Sequence, residues 1–356
     1  MRIVFKIGSN LLQTEDGDID LNFLSKLGEG VKKLKKSGHE VLIVSSGAVL
    51  SGAKRLGIKE KPKDLILKQA LSAVGQAYLM HLYDTVFSNY GLNVGQVLLT
   101  REVFLAKNKD RFINAKNTIN KLLELGIVPI INENDAVAVS ELVFGDNDFL
   151  AVYVSFMVNA NLLVIFSSAS GLRNEADEII PLVENVEEAF KYVKGTGTNF
   201  GTGGMRSKLE ATRLATTLNI PVIITGKDEN ILNLSNLKTK GTLFKPSKRK
   251  LRNALKVIAT LEEPKGLVVI DDGAVKALKE GKSLLPAGVK GVEGSFRKGD
   301  IVGIVDEKGL IIGKGKVNFS SEDIEKIKGK KTKEVRQLLK TTKDEVIHRD
   351  NMVVFL

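Results

Sequence analysis

The sequence predicts an α/β protein: a parallel sheet with helices on both faces, followed by a small C-terminal β-barrel domain. Three observations predict it. Short, continuous apolar runs alternate with stretches of helical periodicity, the pattern of a doubly wound sheet. Polar clusters stand just beyond the ends of those runs, where open α/β sheets bind ligands. After about residue 262 the texture changes to short strands broken by frequent glycine turns, which reads as a small barrel.

Taken in order, RIVFKI (2–7) is a strand that ends at Lys6 and turns at Gly8-Ser9-Asn10. Residues 20–37 have helical spacing and stop at Gly38. VLIVSSGAV (41–49) is a buried strand that runs into Ser45-Ser46-Gly47 and then a helix. Residues 65–89 form a long helix, 94–100 a strand and 112–125 a helix that halts at Gly126. IVPIINEND (127–135) is a strand ending in a polar cluster, and FGDND (144–148) starts a helix that reaches about Asn159. LLVIF (162–166) and PVIIT (221–225) are apolar throughout, as strands buried on both faces must be. Glu262-Glu263-Pro264 marks the expected boundary, giving domains over 1–260 and 264–356.

Composition narrows the chemistry. A chain of 356 residues is long enough for two cores. It has no cysteine, so neither a disulfide framework nor a thiolate ligand or nucleophile is available. Its three histidines (His39, His81 and His348) have no metal-ligand spacing, and no metal-ligating side chains are expected. No apolar run is long enough to span a membrane, and MRIVFKIGSN lacks a signal-peptide layout, so a cytoplasmic protein is expected. The net charge of +11 suits nucleic acid, anionic small substrates or simply a lysine-rich surface, and does not choose among them.

The motif that organises the chain is GTGTNFGTGGMRSK (195–208), with five glycines ahead of an amphipathic helix. Glycines let backbone N–H groups approach a ligand, and a helix N-terminus favours anions. The stretch fits neither a Walker A loop, since Leu209 stands where Ser or Thr is needed, nor the dinucleotide fingerprint, whose third glycine is replaced by Phe200. A glycine loop ending in Arg206 and Lys208 suits a polyphosphate. Lys6, Ser46-Gly47, Asp135, Asn147 and Asp148 complete a candidate phosphotransfer site. No histidine or cysteine is placed to act as a base. A hydroxyl acceptor usually requires one, whereas a carboxylate of pKa about 4.3 is already ionised at neutral pH. Each residue also has a plainer reading: Lys6 as a snorkelling strand-end lysine, Ser46 as a helix cap, Asp135 and Asn147 as turn formers, and Asp148 as a helix start.

The motifs KIGSN (6–10), VSSGAV (44–49), KQALSAVGQ (68–76), INENDAV (131–137), FGDND (144–148) and GTGGMRSKLEA (201–211) together resemble the glutamate 5-kinases of the amino acid kinase family. GKSLLPAGV (281–289) and GSFRKGDIV (294–302) resemble a PUA domain. The resemblance implies an amino acid kinase-like sheet with a PUA-like barrel, and ATP-dependent phosphorylation of the L-glutamate γ-carboxylate with Mg²⁺ bridging the phosphates. It implies that Lys6 and Lys208 stabilise the transferring phosphoryl group and that Asp148 orients them. Ser46, Gly47, Asp135 and Asn147 would hold glutamate. Lys6, Gly8, Ser167, Ser168, Thr202, Gly203, Gly204, Met205, Arg206, Ser207 and Lys208 would meet the nucleotide. Feedback inhibition by proline and a homo-oligomer (dimer or tetramer) are further implications. The PUA resemblance raises RNA binding as an alternative, which is not the expected function. One departure stands out: where the family has Thr-Asp after the LLVIF strand, this chain has Ser167-Ser168, so the family's contacts to the base and ribose are not carried over to this stretch.

Overall fold

The computed structural model describes residues 1–14, 18–58, 62, 64–104, 108–137, 147–193, 204–246, 264–309 and 311–354. The chain divides into two compact units, one holding the described residues of 1–248 and the other those of 249–356. The expected boundary at 260–264 falls almost wholly outside the described residues, which resume at Pro264.

The strands of the first unit are β1 (Arg2–Ile7), β2 (Glu40–Ser45), β3 (Val94–Leu99), β4 (Val128–Glu133), β5 (Leu162–Phe166), β6 (Leu182–Val183), β7 (Val222–Thr225) and β8 (Thr242–Phe244). They form one sheet in the order β3-β4-β2-β1-β5-β7-β8-β6. Every pairing is parallel except β7 with β8. The central strands β1, β2, β4 and β5 are almost wholly buried, which is why they read as unbroken apolar runs. β6 and β8, only two and three residues long, carry no such signal and escaped the sequence reading.

Helices α1 (Leu21–Lys36), α2 (Ala48–Arg55), α3 (Leu65–Ser88), α4 (Lys109–Glu124), α5 (Asn147–Met157), α6 (Val186–Ala189), α7 (Met205–Thr217) and α8 (Ile231–Leu234) fill the connections. Side chains alternate across β1: Ile3, Phe5 and Ile7 enter a core with Leu24, Leu27 and Tyr83 from α1 and α3. Period two therefore turns Val4 and Lys6 to the opposite face, the one that α5 covers. α2 and α3 cross backbone to backbone. A Cβ on Gly52 would sit 1.9 Å from the Leu71 carbonyl oxygen, and one on Gly75 would sit 1.8 Å from that of Ala48. Only glycine permits that approach. Gly47, at φ 100°, occupies the left-handed N-cap of α2 and brings the chain from β2 into that helix.

The second unit has a five-stranded sheet of β9 (Leu267–Ile270), β10 (Val289–Glu293), β11 (Ile301–Asp306), β12 (Ile311–Lys316) and β13 (Met352–Val354), in the order β10-β9-β11-β12-β13. It is antiparallel apart from the β9–β11 pair. Its core contains Val268, Phe296, Ile304, Ile324 and Ile347. The short helices α9 (Asp272–Lys279), α10 (Ser321–Ile327) and α11 (Thr332–Leu339) accompany it, beside the short strands and glycine turns that the sequence texture shows.

Candidate active site

The polar side chains singled out in the sequence gather at the carboxyl ends of β1, β2 and β4 and at the starts of α5 and α7. Lys6 is the penultimate residue of β1, Asp148 lies in the first turn of α5, and Lys208 in the first turn of α7. α5 and α7 pack on one another, which carries Lys208 to Asp148. Lys6 Nζ lies 2.6 Å from Asp148 Oδ1, and Lys208 Nζ lies 3.2 Å from Asp148 Oδ2. All three residues are buried, at 3%, 0% and 8% exposure for Lys6, Asp148 and Lys208. One carboxylate thus holds two ammonium groups, one on each oxygen, and the three together carry one excess positive charge.

A second group surrounds Asn147. Its Nδ2 donates towards the Ser45 carbonyl at 2.8 Å, Ser46 Oγ at 3.0 Å and Asn132 Oδ1 at 2.8 Å. Asn132 in turn donates from Nδ2 to Gln76 Oε1 at 2.8 Å and accepts from the Glu133 N–H at 2.9 Å. Ser45 Oγ lies 3.0 Å from the buried Tyr83 hydroxyl, whose pKa burial pushes up, so the phenol stays neutral. Asp135, just past β4, stands apart from this relay and accepts from Ser72 Oγ at 2.7 Å. Burial raises the Asp135 pKa, and the Ser72 bond opposes the rise.

The remaining expected residues divide. A Cβ on Gly8 would meet only ordinary contacts, 3.7 Å from the Phe166 oxygen and 3.8 Å from Lys6 Nζ, so the protein's own packing does not demand glycine there. Gly204 caps α7 without a side-chain hydrogen bond, and Met205, Arg206 and Ser207 are its first three residues. Arg206 faces solvent, with Nε 3.4 Å from Glu210 Oε1. Ser167 is buried and its backbone N–H donates to the Thr225 carbonyl at 2.7 Å, while Ser168 is exposed. Thr202 and Gly203 lie outside the described residues.

Sequence reasoning puts Asn132, the hub of the relay, in the polar cluster at the end of its strand but gives it no role, and it misses the partner Gln76 and the Ser72 support for Asp135. Asn132 lies within INENDAV and Gln76 closes KQALSAVGQ, so both motifs were visible, but nothing in the spacing says that they meet.

Two buried lysines thus share one helix-borne carboxylate at the carboxyl edge of a parallel sheet. The chain belongs to the amino acid kinase family, which it matches over residues 1–226, and it carries a PUA domain over 266–339. It is 79% identical to glutamate 5-kinase from Aquifex aeolicus (strain VF5) over 356 residues, covering the whole of both chains. It is 42% identical to glutamate 5-kinase from Caldanaerobacter subterraneus subsp. tengcongensis over 365 residues, covering 99% of this chain and 98% of that one. To the enzyme of the same name from Carboxydothermus hydrogenoformans it is 43% identical, with 99% and 97% covered.

Proposed function

We propose that this chain transfers the γ-phosphoryl group of ATP to the γ-carboxylate of L-glutamate, giving γ-glutamyl phosphate, the first step of proline biosynthesis. The observation that carries the reading is the buried Lys6–Asp148–Lys208 group. Phosphoryl transfer asks a protein mainly for positioning and for charge stabilisation. Lys6 and Lys208 supply fixed cations for the phosphoryl oxygens, and Asp148 sets where those cations sit. With each oxygen committed to a lysine, Asp148 acts as an orienting group rather than a proton acceptor. An acceptor that arrives as a carboxylate needs no base.

Ser46, Gly47, Asn147 and Asp135 are assigned to glutamate. Asp135 is the anion for the substrate ammonium, and Asn147 is held by the Ser45 carbonyl and Asn132 with its amide fixed in orientation. Gly8, Ser167, Ser168 and the segment from Thr202 to Lys208 are assigned to the nucleotide, with the N-terminal N–H groups of α7 facing its phosphates. Among the described residues no cluster of three or more acids or histidines offers a metal cage. A Mg²⁺ ion carried on nucleotide phosphates needs few protein ligands and supplies charge neutralisation there. No helix among the described residues is long and apolar enough to cross a membrane. A cytoplasmic location, proline sensitivity and a homo-oligomeric assembly belong to the same proposal.

A coupled assay of ADP release with a panel of acceptors tests the assignment. L-Glutamate should support turnover, while aspartate, N-acetylglutamate, carbamate and UMP should not. A preference for any of the other acceptors would overturn the glutamate reading while leaving the phosphotransfer site intact.

A further inference from the structure

Between α3 and the end of β4 lies a cavity of about 240 Å³, lined by Ser72, Gln76, Gln96, Glu133, Asn134 and Asp135 among others. The orientation of the Gln76 amide there follows from its neighbours. The Glu133 backbone N–H can only donate, so the Asn132 atom 2.9 Å away is Oδ1. Asn132 Nδ2 is thereby turned to Gln76, 2.8 Å away, which must present its oxygen. Gln76 Nε2 is the end left over. The residue is only 7% exposed, and this nitrogen is buried with no hydrogen-bond partner among the described residues. Buried donors without acceptors are rare in native proteins and call for an explanation.

We infer that Gln76 Nε2 binds the α-carboxylate of the amino-acid acceptor, opposite an Asp135 that takes its α-ammonium. This deepens the proposed glutamate reading and rests on it. The two substrate groups share one carbon, so a cavity that holds the ammonium at Asp135 necessarily holds the α-carboxylate within the same few ångströms. Asp135 and Glu133 both line this cavity and would repel a carboxylate unless a donor offset them. Gln76 is a donor held in one orientation, because Asn132 fixes its other end. The γ-carboxylate is thereby left to extend towards Lys6, Asp148 and Lys208. An acceptor without an α-carboxylate would leave the Gln76 donor buried and unmet, which disfavours such analogues.

The test is Gln76→Glu, which keeps an oxygen towards Asn132 and replaces the donor with a second oxygen. A parallel Gln76→Met variant can neither donate nor ionise. Glutamate KM should rise about 10- to 150-fold in both, the worth of a hydrogen bond to a charged group, with ATP KM unchanged. kcat/KM for γ-aminobutyrate, which is glutamate without its α-carboxylate, should not fall in Gln76→Glu. Thermal melting of each variant verifies that it is folded. An unchanged glutamate KM in folded Gln76→Glu, or equal losses for glutamate and ATP, would overturn the inference and leave Gln76 as a support for Asn132 only. Absence of glutamate turnover in the unmodified protein would instead refute the proposed function itself.

Discussion

Replacing Lys6 or Lys208 by alanine separates a catalytic role from a structural one. Breaking a buried ion pair commonly costs about 3–5 kcal/mol, because a charge is stranded. Here Asp148 has a lysine on each oxygen, at 2.6 and 3.2 Å, so either single variant leaves it one of the two. The loss of stability should therefore fall below that range. Catalysis should suffer more. Removing one preorganised donor from developing charge typically costs about 10²–10³ in rate, or about 2.7–4 kcal/mol. Each variant should show at least roughly that fall in kcat at saturating ATP and glutamate, with smaller changes in KM. Lys→Arg should rescue poorly, because a planar fork cannot take the place of a compact ammonium on one carboxylate oxygen. The assay is steady-state ADP release beside thermal melting. Near-normal kcat in either folded alanine variant would refute the two-lysine reasoning and leave that lysine a packing element.

Four further outcomes are expected. Asp135 has a native pKa above its ordinary value through burial, with the Ser72 hydroxyl holding it down. The ionised form, needed for the substrate ammonium, is lost as pH falls through that raised pKa. Ser72→Ala should therefore move the acid limb of glutamate kcat/KM to higher pH, and an unmoved limb would contradict the pairing. By the same sign, ionised Asp135 costs stability at neutral pH, so Asp135→Asn should raise Tm there, with the gain fading in acid. Gly75→Ala places a Cβ 1.8 Å from the Ala48 carbonyl, against backbone that cannot swing aside. It should destabilise the protein by about 1–3 kcal/mol or more, read by chemical denaturation. A fragment of residues 1–260 should fold and retain kinase activity, since every assigned residue precedes residue 209; a folded but inactive fragment would show that the second unit contributes to the site.

The strands that build the site were legible because burial on both faces leaves an unmistakable apolar run, as in β1, β2 and β5. Lys6 was legible for a different reason: it stands at the end of such a run, directly before the Gly8-Ser9-Asn10 turn. The meeting of Lys6, Asp148 and Lys208 was not readable from local pattern, because it depends on α5 and α7 packing across 60 positions of chain. The Asn132–Gln76 bond spans 56 positions and is equally silent in the sequence. The need for glycine at positions 52 and 75 is equally silent in the sequence, because it arises only where α2 and α3 cross.

In the proposed reaction a carboxylate, not a hydroxyl, receives the phosphoryl group. Incubation with ATP, Mg²⁺, L-glutamate and hydroxylamine tests it most directly, because hydroxylamine captures an acyl phosphate as a hydroxamate. γ-Glutamyl hydroxamate should form in step with ADP, and both should be lost in Lys6→Ala and Lys208→Ala. Glutamate-dependent ADP release without hydroxamate would contradict it.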